Sequence, residues 1–396
     1  PEAFRRDYAE DRGLAGFIDS ACCGLGVVGF GLVALLFYVL GHRRGIFPWH
    51  EGLKVGLLAG AVSLAATINA LPLYKAFYDT TQSYALFWIN QLAYTFAAFF
   101  VVSGMIMVLW AGGRYLARRV WPLHDPILPR GDDPWISLAG ATWRGLALAG
   151  ISAGYLVLFY WIATGVLGGW SPIDSPPVGL YATPLPALAA LRNGLIPALN
   201  EELVARLVGI GLLLALTRKK WLALLIPGLL WAFAHSGYVR HPIYMRGVEL
   251  TFIALLYGLV FLRYGLATTI VAHMAYNAGL TALPMLRAGQ PGLVANGLLI
   301  VAMLLLPLLI GAVRWLYRRL RASPSPSEAS ILPATERSLA ALSRLDPGRD
   351  WAAWLADPAA VVLCLVADQA ARDRPADAAR PLAGVAAGRL EAGGLG

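Results

Sequence analysis

The chain has 396 residues, of which 58% are hydrophobic and only 14% charged, against about 25% charged in an average soluble domain, which excludes an ordinary water-soluble enzyme. A mean hydropathy of +0.62, with 13 Trp, 16 Tyr and 14 Phe to furnish aromatic belts at two interfaces, identifies an all-α, polytopic transmembrane helical bundle. The net charge of +9 does not indicate nucleic acid, because Lys and Arg fall in short clusters beside apolar runs, where they set topology.

Residues 1–20 form a polar N-terminal segment. Apolar runs of spanning length, about 17–25 residues, then follow at 21–40, 55–73, 85–110, 146–167, 187–216, 221–238, 248–262, 267–283 and 293–313, giving eight to nine spans. The first is followed by His42, Arg43 and Arg44 and reads as a retained helix, not a cleaved signal. The fifth is too long for one straight span, and Pro197 is expected to kink or break it. The seventh is the shortest. Between the fourth and fifth, the Pro-rich stretch 171–186 reads as an external loop.

Domain boundaries follow. Residues 21–170 hold the first four helices, 187–283 the four runs that carry the polar islands described below, 284–322 the last helix with its basic flank, and 323–396 an Ala/Arg/Pro-rich tail, soluble or lying on the surface. Cys22 and Cys23 lie in the first run and Cys364 in the tail, which makes neither a disulfide framework nor a zinc ribbon. With nine alternating spans, loops on the N-terminal side carry 7 Lys/Arg and those on the other side 16. The positive-inside rule therefore expects the C-terminus in the cytoplasm, in what the composition suggests is a bacterial cytoplasmic membrane.

Three polar islands interrupt the apolar half. The first, "NEELVAR", puts Glu201, Glu202 and Arg206 inside a run where one charge costs roughly 2.5–3.5 kcal/mol. On a helix Glu202 and Arg206 stand four apart and neutralise each other. Glu201 lies about 100° away around the helix, so one carboxylate is paired and the other is left for chemistry; the alternative is a buried ion-pair staple. The second island, "WAFAHSGY", brings His235 to a helix end. The third, "HMAYNAG", sets His273 and Asn277 on one helical face, where both can donate to an oxyanion or serve as interhelical glue. Together they make a parts list for peptide hydrolysis by an activated water; neither a serine nucleophile elbow nor an HExxH zinc motif is expected to supply the chemistry.

These islands resemble the EExxxR, FxxxH and HxxxN motifs of the CAAX protease and bacteriocin-processing family of intramembrane endopeptidases, which includes the type II CAAX prenyl endopeptidases; the resemblance covers roughly residues 187–283 and implies that they form an intramembrane protease core. The departures are Trp231 in place of Phe four residues before His235, and Ala205 and Leu207 around Arg206. Trp231 reads as preserving an aromatic packing element. The resemblance implies that Glu201 and His235 activate water, that His273 and Asn277 hold the oxyanion, and that Glu202 and Arg206 position the first helix. It implies no cofactor, with zinc on one carboxylate and two histidines as the alternative, and partners limited to the bilayer and a membrane-associated peptide or protein, prenylated or not. An inactive scaffold and an ion or solute transporter are the competing functions.

Overall fold

The computed structural model describes residues 2–44, 49–121, 125–127, 133–172 and 178–321. The chain divides into the units Pro1–Arg319 and Leu320–Gly396. The tail expected from residue 323, with Cys364, lies outside the described residues, as do 173–177 of the Pro-rich loop.

Nine helical rods follow one another among the described residues: α1 (2–43), α2 (Trp49–Phe77), α3 (Tyr84–Val120), α4 (Pro134–Gly165), α5 (186–217), α6 (Lys220–Phe233), α7 (Met245–Tyr264), α8 (Leu266–Arg287) and α9 (Pro291–Arg321). No strand occurs among them; an isolated bridge joins Trp170 to His241. The rods coincide with the nine apolar runs. Six of them (α1, α2, α3, α4, α7 and α9) are long and apolar enough to cross a bilayer by their own length and composition. The other three, α5, α6 and α8, carry the three polar islands.

Large apolar side chains face outward along the rods, among them Leu32, Phe100, Val157 and Leu309, as a lipid-facing surface requires. Exposed aromatics gather near both ends: Trp135, Trp221 and Trp315 at one, Phe77, Trp161 and Trp170 at the other. This is the double belt of an interfacial anchor.

Residues 2–20 of the polar N-terminal segment are helical, continuous with the first apolar run apart from a π-helical turn at Gly24–Val28. Two expectations need correction. Pro197 does not break α5: the α-helix runs Pro186–Glu202, and the irregularity is the π-helical stretch Leu203–Ile210 that follows. A proline removes one ladder hydrogen bond, and here the helix continues past it. The sixth run ends at Phe233, five residues short of Tyr238, because the chain turns: the His235 and Ser236 amides donate to Ala232 and Phe233 carbonyls at 3.2 and 3.1 Å.

Two kinds of joint hold the bundle. Small residues let backbones touch, as is usual where no hydrophobic force drives helices together. Gly52, Gly56 and Gly60, at four-residue spacing on α2, lie against the α3 backbone around Ser103 and Met107. A Cβ at Gly56 would collide with the Ser103 carbonyl. Gly56→Val is therefore expected to lower the detergent-phase thermal midpoint, with a cost of about 1–3 kcal/mol. Gly104→Val, which meets open space on α3, should leave it near wild type. Polar clamps bind the ends. Asp133 caps α4 through the Trp135 amide at 2.9 Å and takes Arg314 from α9 at 2.9 Å. Burial pushes the Asp133 carboxyl up, but the Trp135 amide and Arg314 outweigh it and hold the group below the usual carboxylate range.

Candidate active site

The site begins with a close helix contact. A Cβ at Gly194 of α5 would lie 2.8 Å from Ala278 Cβ and 2.9 Å from the Met274 carbonyl of α8, so only glycine allows this approach. One consequence is that Glu202 of α5 meets His273 of α8: its Oε1 accepts from Nδ1 at 2.9 Å. The other carboxylate oxygen lies 3.3 Å from Arg206 Nε. Glu202 is 0% exposed and Arg206 2%. The Arg206 guanidinium carbon stands 4.7 Å from the Trp231 ring centre and 5.5 Å from that of Tyr257. Its two terminal nitrogens have no hydrogen-bond partner among the described residues, and the π faces of these two rings supply the compensating negative potential. The i,i+4 pairing expected from the sequence is thus present, with a histidine and two aromatic rings completing it.

Glu201 faces elsewhere, as the 100° step requires. Its side chain is 22% exposed and lines a cavity of about 170 Å³ together with Trp231, His235, Tyr257, His273 and Asn277. The Glu201 carboxylate accepts from Trp231 Nε1 at 2.6 Å and lies 3.8 Å from His273 Nε2. His273 therefore stands between two carboxylates, one on each ring nitrogen. Asn277, one turn along α8, lines the same cavity.

His235 sits in the turn after α6. Its Nδ1 lies 2.8 Å from the Trp231 carbonyl. A carbonyl only accepts, so Nδ1 carries the proton and Nε2 of the neutral ring keeps its lone pair. Trp231 is the link between the two candidate groups: its indole N–H bonds Glu201 and its carbonyl holds His235. The turn itself is fastened by α1. Asp19 Oδ1 accepts from the Gly237 amide at 3.2 Å, and Arg12 donates to the Gly237 and Tyr238 carbonyls.

Four of the six residues expected from the sequence, Glu201, His235, His273 and Asn277, share one cavity wall, and Glu202 and Arg206 lie buried beneath it. Trp231, expected as an aromatic packing element, is also a hydrogen-bond donor, a role that Phe cannot fill. A second polar cluster was missed. In the first turn of α7, Arg246 Nη1 donates to both oxygens of Glu249 at 2.7 Å, and the Tyr160 hydroxyl donates to Glu249 at 2.7 Å. Arg246 and Glu249 line the cavity. An arginine three residues before a glutamate at the head of an apolar run was the available signal. A G-x-S-x-G string does occur, at Gly150–Gly154, but Ser152 lies within helix α4 and donates to the Leu148 carbonyl at 2.9 Å. It is not on the strand-to-helix elbow that exposes a nucleophile.

Among the described residues no three His, Cys, Asp or Glu side chains group as a metal site needs. Both histidines already spend Nδ1, on the Trp231 carbonyl and on Glu202.

Residues 183–279 match the family model described as Type II CAAX prenyl endopeptidase Rce1-like. That window runs from the connection before α5 to the Asn277 turn of α8, and it contains all six candidate residues. Comparison with curated proteins gives no match, and neither does comparison with solved structures.

Proposed function

We propose that the chain is an intramembrane endopeptidase in which Glu201 activates a water for attack on a peptide bond. The observation that carries this reading is the division of labour between adjacent carboxylates. Glu202 is fully buried and paired on both oxygens, whereas Glu201 faces the cavity. The match over 183–279 supports the same class of activity.

In the proposed reaction a water held by Glu201 and His235 Nε2 attacks the scissile carbonyl carbon and passes a proton to Glu201. The carbonyl oxygen becomes an oxyanion, which the His273 Nε2–H and the Asn277 amide stabilise. Collapse of the tetrahedral intermediate breaks the C–N bond, the proton goes to the leaving amine, and one water is consumed. For His273 to donate from Nε2 while Nδ1–H stays on Glu202, the ring acts as imidazolium. Glu201, Glu202, Arg206 and His273 then sum to zero charge, as a site buried in hydrocarbon favours.

Trp231→Phe tests the positioning of Glu201. It keeps a ring under Arg206 but removes the N–H on the carboxylate, a bond to a charged group worth about 1.5–3 kcal/mol. A fall in kcat of roughly ten- to a hundredfold, with KM little changed, is expected from steady-state kinetics.

The reaction class is tested by presenting the purified full chain in detergent with a library of quenched peptides, with and without prenyl groups, before and after chelation. Endoproteolytic cleavage that survives chelation supports the proposal. Loss on chelation with recovery on zinc would assign the water activation to a metal, and a folded protein that cuts nothing in either half of the library would count against peptidase activity.

A further inference from the structure

Glu201, Trp231 and His235 line two cavities at once. Besides the one described above, they border a second of about 150 Å³, set between α1, α5 and α6. Glu201 and His235 thus stand on a wall common to both. The α1 rod, which contributes Gly26 and Val27 to the second cavity, lies outside the matched window 183–279.

The two π-helical stretches among the described residues meet at this cavity. Gly26 and Val27 come from Gly24–Val28, and Val204 and Ala205 from Leu203–Ile210. Such departures from the α-helix are rare and gather at functional sites. Small residues keep the space open: Gly26 has no side chain, and Ala205, one residue before Arg206, is 4% exposed. An apolar cavity of about this size takes a guest as large as benzene, so one leucine-sized side chain fits. Beyond the three shared residues the lining is apolar or thiol, with Asn200 as the exception. Asn200 Oδ1 is buried and has no hydrogen-bond partner among the described residues. An acceptor left unpaired in the interior is costly, and the group that satisfies it is an N–H donor.

One residue of an extended peptide offers both an apolar side chain and a backbone N–H. We propose that the second cavity is a substrate subsite of the endopeptidase. It takes the leucine-sized apolar side chain of a residue next to the scissile bond, while Asn200 Oδ1 accepts that residue's N–H. Charged side chains are excluded by the cost of burying them, and Ala205 sets the limit of size. That the ligand is a substrate peptide rests on the peptidase reading above; the cavity and its unpaired acceptor are features of the fold alone.

The test presents the purified full chain in detergent with quenched peptides that differ only at their two central residues, as Leu, Gly or Asp. Wild type is expected to cut beside Leu in preference to Gly or Asp. Ala205→Phe, which fills the cavity from α5, should lower the ratio of kcat/KM for Leu over Gly by about tenfold or more. Val27→Trp should lower it from α1, where the native side chain is 37% exposed and a larger one disturbs little packing. N-methylation of the preferred residue's amide should slow wild type several-fold more than Asn200→Leu, which has no acceptor to lose. An unchanged ratio in both narrowed variants overturns the subsite and leaves the peptidase reading in place. Occupancy is read without catalysis through Cys23, which lines the cavity, in a Glu201→Gln chain whose Cys22 and Cys364 are changed to serine. The Leu peptide is expected to slow alkylation of Cys23 by N-ethylmaleimide several-fold, and the Asp peptide to leave it unchanged. Equal slowing by both, or by neither, overturns the subsite. Protection by the Leu peptide, with no cleavage of any peptide by wild type, would keep the subsite and remove the peptidase reading.

Discussion

Arg206→Ala is expected to destabilise the centre of the bundle by about 3–5 kcal/mol, the usual cost of stranding one member of a buried ion pair. Buried Glu202 would keep His273 on one oxygen and lose the cation on the other. Unfolding followed in detergent measures the effect. Arg206→Lys should recover only part, because an ammonium cannot lay a planar face between Trp231 and Tyr257. Adding Glu202→Gln to Arg206→Ala should also recover part of the loss, since the two changes are coupled through one contact. An Arg206→Ala protein as stable as wild type would remove the pair from its structural role.

His235→Ala is expected to behave in the opposite way. The ring sits in a turn after α6 and lines the cavity, so its loss strands no buried charge. Catalysis should fall by roughly 10²- to 10⁴-fold, the range for a lost acid–base group, with the unfolding midpoint near wild type. His273→Ala should lower both activity and stability, because His273 neutralises buried Glu202. Parallel measurement of kcat and unfolding on the two variants separates these patterns. Equal loss of stability in both would mean that His235 is a structural residue as well.

Much of this arrangement was legible in the sequence because membrane helices write themselves as apolar runs and intramembrane charge is expensive. Each of the nine apolar runs falls on one of the nine rods among the described residues, and the Glu202–Arg206 pair follows from a spacing of four. Contacts distant in the chain were not legible. Nothing in the local pattern brings Glu202 to His273, 71 residues away, or sets Asp19 and Arg12 on the turn that carries His235. The π-helical stretch after Glu202 left no signal that composition could show, and Pro197 drew attention to the wrong place. Trp231 was undervalued because comparison with a Phe hides the indole N–H. The Arg246–Glu249 pair was missed because Arg246 falls in the connection before the seventh apolar run and Glu249 inside it, so the two were never read together.

The most direct measurement compares wild type and Glu201→Gln, both folded and monodisperse, on the quenched peptide library, with products identified by mass spectrometry. The variant preserves shape and the bond from Trp231 but cannot take a proton from water. Cuts at internal peptide bonds by wild type, reduced at least about 10²-fold in the variant, are the expected result. Equal cleavage by both proteins would contradict Glu201 as the group that activates water.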